Sequence, residues 1–118
     1  MKTIIKTLAL YLIAVLINTT TFAQSNKKVD EVKIQTSAIC SQCKDRIEQN
    51  MAYEKGVVDV VLDLNTKIVT ITYKTSKTNP DKLRLAISKI GYDADNVPAD
   101  KVAYEKLPSC CKKGNEKH

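Results

Sequence analysis

The segment GVVDVVLDLNTKIVTITYK, residues 56–74, decides the fold of this 118-residue chain. Large apolar side chains recur at every second position on both sides of Asn65-Thr66, namely Val58, Val60, Leu62 and Leu64 before it and Val69, Ile71 and Tyr73 after it. A period of two places side chains on one face of a strand, and a short polar link between two such runs is typical of a β-hairpin. The segment therefore predicts two antiparallel strands with one buried face.

The residues before this hairpin change from strand to helix periodicity. Val32 and Ile34 alternate with polar residues in the stretch 29–36, which predicts a half-buried strand. From Ser41 onward the apolar positions are four apart, at Cys43, Ile47 and Met51. Charged residues lie between them, so this stretch predicts one amphipathic helix.

A second helix is predicted after the hairpin. Asn79-Pro80 is a typical helix start, with Asn as the N-cap and Pro at the first helical position. Gly91 supplies the C-terminal stop. The predicted buried face consists of Leu83, Ala86, Ile87 and Ile90. Residues 92–97 are compatible with a last, weaker strand, and residues 98–107 with a short extra helix.

The order of elements is therefore β-α-β-β-α-β, followed by a short C-terminal helical extension. This order predicts an α+β, ferredoxin-like sandwich with both helices on one face of an antiparallel sheet. The predicted division of the chain is a signal peptide (1–23), a polar lead (24–28), the ferredoxin-like domain (29–97) and a C-terminal extension with a charged tail (98–118).

Cys40 and Cys43 lie where the first strand gives way to the first helix. Backbone N–H groups at a helix start favour negative charge, and Lys44 and Arg46 add to this effect, so the pKa of both thiols is expected to be low. Two thiolates at this spacing suit Cu(I) or Hg(II), whereas Zn(II) or Cd(II) needs further ligands. A disulfide staple and thiol-disulfide exchange use the same spacing, so both alternatives stay open.

At these residues the sequence resembles the heavy-metal-associated domain family, which includes small copper chaperones, domains of copper-transporting ATPases and the periplasmic mercuric-ion-binding protein. The resemblance covers residues 29–97 and rests on SAICSQC (37–43), the hairpin and AISKIGYDA (86–94). It implies that Cys40 and Cys43 are metal ligands and that Tyr92 lies in the loop beside the metal. Ala38 departs from the family pattern, because a methionine is usual at this position.

Cys110 and Cys111 form a second close pair, outside the region of resemblance. A last strand of six residues would run about 20 Å away from the metal loop. A helix of about ten residues could then return about 15 Å. The pair could thus approach Cys40 and Cys43 as accessory ligands, which would favour Zn(II) or a shielded or polynuclear Cu(I) site. The alternatives are a disulfide or a loose tail.

The first residues have the pattern of an export signal. Lys2 and Lys6 precede an apolar run at 8–17, and Thr21 and Ala23 place small residues at the positions that a signal peptidase reads. An apolar run of about ten residues is too short for a spanning helix, which needs about 20. The sequence therefore predicts secretion across the inner membrane, a periplasmic location and no membrane attachment after cleavage.

The charge of the chain does not point to nucleic acid as a partner. The formal net charge is +6, and removal of Lys2 and Lys6 would lower it to +4. The lysines are scattered, and aromatic residues make up 5% of the chain, too few to interleave with them as stacking platforms. A solvated surface is the better interpretation.

These observations together predict an exported soft-metal-binding protein and not an enzyme, since the sequence shows neither a Ser-His-Asp set nor a glycine-rich phosphate loop. Cu(I) is the favoured ion, carried to a metal-transporting or metal-accepting protein by exchange of thiolate ligands. Scavenging of Hg(II), or of Zn(II) or Cd(II), is one alternative. A thiol-disulfide oxidoreductase is another.

Overall fold

A computed structural model describes residues 28–114 of the chain. Its strands are β1 (Val29–Gln35), β2 (Val57–Asp63) and β3 (Ile68–Lys74), and its α-helices are α1 (Ser41–Ala52), α2 (Pro80–Ile90) and α3 (Lys101–Glu105). A 3₁₀ helix, Ser109–Cys111, follows α3. The predicted signal peptide and the end of the charged tail lie outside the described residues.

The three strands form an antiparallel sheet in the order β1-β3-β2. The predicted hairpin is confirmed, and Val69, Ile71 and Tyr73 of β3 are buried. Helices α1 and α2 cover this face with buried side chains that include Ile47 and Leu83. Burial of such side chains is the main stabilising contribution to a fold of this size. The architecture is the ferredoxin-like sandwich that the sequence predicts.

One position of the hairpin differs from the strict alternation. The register of β2 against β3 shifts between Val57 and Asp59, which is a β-bulge with Val58 as the extra residue. A bulge turns the preceding side chains to the opposite face. Val58 is consequently 54% exposed, while Val57 packs against the core in its place. The prediction that Val58 lies on the buried face was wrong.

The predicted last strand is reduced to isolated bridges within the described chain. Ala94 pairs with Thr36 beside β1 and also with Val97. The backbone of Ala94 and Val97 exchanges two hydrogen bonds of 2.9 Å, and Asp95 has a φ of +52°. Residues 94–97 therefore fold into a tight turn, and Pro98 has no N–H with which to continue a ladder. The carboxylate of Asp95 instead accepts the N–H of Gln35.

The helix ends of α2 follow the prediction. The Asn79 side chain accepts a hydrogen bond from the Lys82 N–H at 2.9 Å, and Pro80 is the first helical residue. Gly91 ends the helix in the left-handed conformation, with a φ of +117°. An added Cβ there would lie 3.1 Å from the carbonyl of Ala103. Gly91 is thus required both by the turn and by the close approach of α3.

The C-terminal extension (residues 98–118, described to residue 114) packs on the domain. Its helix α3 is shorter than predicted and begins after Asp100, whose carboxylate accepts from the Ala103 N–H. Leu107 is buried in the core cluster. Lys113 forms an ion pair of 2.5 Å with Asp93. Over residues 28–114, the helices lack the length and apolar character that a membrane crossing requires.

Candidate metal centre

The loop between β1 and α1 is held from two sides. The Thr36 hydroxyl donates to the carbonyl of Lys67 at 2.8 Å and accepts from the N–H of Ala38 at 3.2 Å. The Ser37 hydroxyl accepts the N–H of Asp93 at 2.9 Å. Ala38 is fully buried. These contacts fix the backbone of the loop that leads into α1.

Cys40 and Cys43 meet at the start of α1. Cys40 is the N-cap residue, and its side chain forms no capping hydrogen bond. Cys43 lies in the first helical turn and is fully buried, whereas Cys40 is half-buried. Their sulfur atoms are 3.3 Å apart. A CxxC pair at a helix start thus presents two converging sulfurs, of which one faces the outside.

The C-terminal extension brings the second pair to the same place. The sulfur of Cys111 lies 3.7 Å from that of Cys40 and 3.8 Å from that of Cys110. The sulfurs of Cys40, Cys110 and Cys111 all lie within 4.8 Å of one another. All four cysteines are free thiols. Because residues 94–97 form a turn rather than a strand leading away, the short extension is long enough to make this return.

Arg46 and Tyr92 flank the sulfur cluster on its inner side. The Arg46 guanidinium donates to the Cys111 sulfur at 3.2 Å and to the Tyr92 hydroxyl at 3.1 Å. Tyr92 is buried, so its ring closes this side of the cluster to water. The structure therefore places Tyr92 beside the cysteines. A cation next to the sulfurs favours thiolate over thiol.

The pKa shifts of the thiols differ from the sequence-based expectation for Cys40. Burial raises the pKa of Cys40 and outweighs its hydrogen bond with the backbone of Cys43. Burial opposes ionisation of Cys43 too, but hydrogen bonds with the Ile39 backbone, Cys111 and Tyr92 bring its pKa below the usual value. Burial, followed by its hydrogen bond with Cys43, raises the pKa of Cys111 to about 12.

Lys44 does not act on the thiols as the sequence suggests. Its ammonium donates to Glu48 and to the carbonyl of Leu62, at 2.8 and 2.9 Å. These contacts join α1 to β2, since the same Glu48 carboxylate accepts the N–H of Leu62. Within residues 28–114, the cation that contacts the sulfur cluster is Arg46, one helical turn after Cys43.

Two contacts of the second pair were missed by the sequence analysis. The first is the Arg46 contact with Cys111, and the second is a hydrogen bond of 3.1 Å from the Cys110 thiol to the Gln42 side-chain carbonyl. Arg46 lies three residues after Cys43, so helical spacing marks it as a neighbour of the cysteine face. Gln42 carried no such signal, because its partner is 68 residues away.

A surface depression of about 380 Å³ opens beside the sulfurs. It is lined by Ile39, Cys40, Ser41, Gln42, Leu64 and Cys110. Cys40 and Cys110 can therefore be reached from outside, whereas Cys43 and Cys111 form the buried side of the cluster. The arrangement is one that can bind a thiophilic ion and exchange it with an external ligand.

Comparison with known families agrees with this arrangement. The family model described as the heavy-metal-associated domain matches residues 27–93. The chain belongs to the heavy-metal-associated domain family. Its sequence is 42% identical over 55 residues to a copper-exporting P-type ATPase of Staphylococcus saprophyticus, and 32% identical over 74 residues to one of Staphylococcus epidermidis. These matches cover 47% and 62% of this chain but 7% and 9% of the ATPases.

Solved structures of heavy-metal-associated domains have the same fold. The CopZ metallochaperone superposes with a TM-score of 0.52 at 24% identity, covering 55% of this chain and 98% of that one. Oxidized MerP from Ralstonia metallidurans gives 0.54 at 24% identity, covering 57% and 94%. The soluble region of the P-type ATPase CopA from Bacillus subtilis gives 0.53 at 30% identity, covering 56% and 44%.

Family membership establishes a metal-binding domain and not an enzyme, as the sequence predicts. The matched region, residues 27–93, contains Cys40, Cys43 and Tyr92. It ends before Cys110 and Cys111, so the second pair is an addition of this chain to the family domain. The assignment of individual residues as ligands stays a prediction, supported by the geometry above.

Proposed function

We propose that the protein carries Cu(I) on Cys40 and Cys43 and passes it to a partner by thiolate exchange. The observation that carries this proposal is the 3.3 Å separation of the two sulfurs at the start of α1, with one sulfur accessible and the other buried. Thiolates are the ligands that select soft ions such as Cu(I). The similarity to copper-exporting ATPases, at 32% to 42% identity, supports copper as the ion.

The exchange follows from the unequal exposure of the two sulfurs. A two-coordinate Cu(I) ion has room for a third sulfur, which a partner can offer from the depression beside Cys40. A first partner thiolate forms its bond to copper before the accessible Cys40 leaves, and a second partner thiolate binds before the buried Cys43 leaves last; the two released cysteines take up protons from solvent. Copper keeps its oxidation state throughout, and the ion is never released to water. The partner is accordingly a metal-transporting or metal-accepting protein with exposed thiolates.

An anaerobic titration with Cu(I) against a coloured competing chelator tests this function. The reduced chain is expected to take up Cu(I) tightly, and Cys40→Ser and Cys43→Ser are each expected to lose that binding. Ser41→Ala is the matched control, because Ser41 is exposed between the two cysteines and supplies no sulfur. A wild-type chain unable to compete for Cu(I) would overturn the copper proposal.

The same samples separate the alternatives. Retention of Hg(II) by a chain that does not compete for Cu(I) would instead support mercuric-ion scavenging. Catalysed reduction of insulin, lost in Cys40→Ser, would support a thiol-disulfide oxidoreductase. A carrier is expected to show no such catalysis.

We propose further that the carrier acts in the periplasm after export. The support is the pattern of residues 1–23, with Lys2 and Lys6 before the apolar run and a small-residue cleavage signal ending at Ala23. Sequencing of the N-terminus of the protein recovered from its host is expected to begin at Gln24. A sequence that begins before the apolar run would contradict cleavage.

A further inference from the structure

The second cysteine pair lies in direct contact with the first. The sulfur separations are 3.3 Å for Cys40 and Cys43, 3.7 Å for Cys40 and Cys111, and 3.8 Å for Cys110 and Cys111. A tetrahedral thiolate site with metal–sulfur bonds of about 2.3 Å has edges of about 3.8 Å. Cys40, Cys110 and Cys111 all lie within 4.8 Å of one another, as ligands of one ion would, and Cys43 joins this group through its 3.3 Å contact with Cys40.

We propose that all four cysteines bind a single divalent soft ion of the Zn(II) or Cd(II) class, with the C-terminal extension closing as a clasp over Cys40 and Cys43. This site deepens the proposed function and rests on it only in using the same first pair. It uses four sulfurs for a divalent ion, whereas the proposed exchange of Cu(I) uses the first two. Structural sites for Zn(II) are of this closed, four-coordinate kind.

The clasp is built into the fold. Leu107 is buried in the core cluster, and its side chain lies against Gly91 at the end of α2. The N–H of Lys113 donates to the Tyr104 hydroxyl at 3.0 Å, and the Lys113 ammonium pairs with Asp93. These contacts lie on both sides of the pair in the sequence. They hold the 3₁₀ helix Ser109–Cys111 over the start of α1.

The charge of the surroundings suits a site with several thiolates. Each thiol releases its proton to solvent when it binds, so a divalent ion with four thiolates has a net charge of two negative units. The Arg46 guanidinium, 3.2 Å from the Cys111 sulfur, offsets part of this charge. Tyr92, which accepts from Arg46, fixes the guanidinium in place. Arg46 acts as a positioning residue for Cys111.

Co(II) is the probe for this site, because it replaces Zn(II) and its absorption reports both geometry and sulfur ligands. The reduced wild-type chain, titrated anaerobically with Co(II), is expected to show the visible bands of a tetrahedral ion and sulfur-to-cobalt charge-transfer bands. Charge-transfer intensity is expected to fall by about a quarter in Cys110→Ser and by about half in Cys110→Ser/Cys111→Ser, in proportion to the thiolates removed.

Displacement of Co(II) by Zn(II) measures the affinity. The double variant is expected to bind Zn(II) more than about tenfold more weakly, since even outer-shell partners of a metal are worth 10–100-fold. Val102→Ala is the control, because Val102 is 64% exposed on α3 and its change leaves the sulfurs intact. Cys110 is partly exposed, so the single variant tests the site without removing a fully buried group.

A double variant whose Co(II) absorption and Zn(II) affinity equal those of the wild type would overturn the clasp. The failure of the copper proposal is a different result: a chain that binds Co(II) through four thiolates but cannot compete for Cu(I) keeps the clasp and loses the copper carrier. Conversely, loss of Cu(I) binding in Cys40→Ser with an unchanged Co(II) spectrum in the double variant keeps the carrier and removes the clasp.

Discussion

At the scale of single residues, Tyr92 shows how one side chain serves both the core and the sulfur cluster. It is 1% exposed, and its hydroxyl accepts a hydrogen bond of 3.1 Å from the guanidinium of Arg46. Burial, followed by the hydrogen bond with Cys43, raises the pKa of the phenol far above its usual value. The hydroxyl is therefore un-ionised at any physiological pH, and it is a neutral partner of the cluster rather than an anionic ligand.

Replacement of Tyr92 by Phe should lower the free energy of unfolding by about 1 kcal/mol, because the buried Arg46 hydrogen bond is lost while the ring is kept. Urea denaturation of the reduced chain measures this difference. Tyr53→Phe is the matched control, since Tyr53 is 92% exposed, and it should change stability by less than about 0.5 kcal/mol. Equal stability of the two variants would show that the buried hydroxyl contributes nothing.

At the scale of elements, the end of α2 controls how the C-terminal extension docks. Gly91 has a φ of +117°, and its missing side chain leaves space for Ala103 of α3 and for Leu107. A helix stop that sequence alone marks as a cap is thus also the contact surface for the next element. The extension that carries Cys110 and Cys111 depends on this contact.

Gly91→Ala should destabilise the fold by more than the roughly 1–2 kcal/mol that the left-handed conformation alone costs a residue with a Cβ. The excess is expected because the new methyl would lie 3.1 Å from the Ala103 carbonyl and 3.2 Å from the Leu107 side chain. Gly114→Ala is the control: Gly114 also has a positive φ, of +90°, but an added Cβ there meets no atom within 4 Å. Thermal unfolding of both variants should give the larger loss for Gly91→Ala, and the reverse order would contradict the contact.

At the scale of the whole molecule, one ion pair fastens the chain after α2 to that helix, and a second joins the end of the C-terminal extension to the loop after α2. Arg84 on α2 donates to Asp95 at 2.8 Å, and Lys113 pairs with Asp93. Partial burial acts to raise the pKa of both carboxyls. For Asp95 the hydrogen bond with Arg84 outweighs this effect of burial, and for Asp93 the hydrogen bond with Lys113 does so. The pKa of each carboxyl is therefore lowered. A carboxyl with a lowered pKa in the folded state stabilises the fold above its unfolded pKa, which is about 3.9, and this contribution is lost as the pH falls through the folded pKa.

Asp95→Asn should therefore be less stable than wild type at pH 7, and the difference should shrink below about pH 4 as the wild-type carboxyl takes up its proton. Urea denaturation at a series of pH values measures it. Asp59→Asn, at an exposed position of β2, is the control and should show little difference at pH 7. A difference for Asp95→Asn that persists unchanged at pH 2 would show that charge is not its cause.

Much of the architecture could be predicted from local sequence patterns. The alternation around Asn65-Thr66, the period of four from Cys43 to Met51 and the Asn79-Pro80 start each depend on neighbours a few residues away, so they could be read directly. The exposed position of Val58 could not be predicted in this way, because a bulge arises from the register of two paired strands and not from one strand alone.

The sequence by itself determined the ferredoxin-like order of elements and the place of Cys40 and Cys43 at a helix start, since both follow from short-range periodicity and capping. The tertiary structure decided which sulfurs meet. Cys40 and Cys111 are 71 residues apart in the chain and 3.7 Å apart in space. This distance depends on the turn at residues 94–97, on the fit of Leu107 against Gly91 and on the Arg46 hydrogen bond. Such contacts join residues of unrelated local pattern, and packing of the whole chain brings them together.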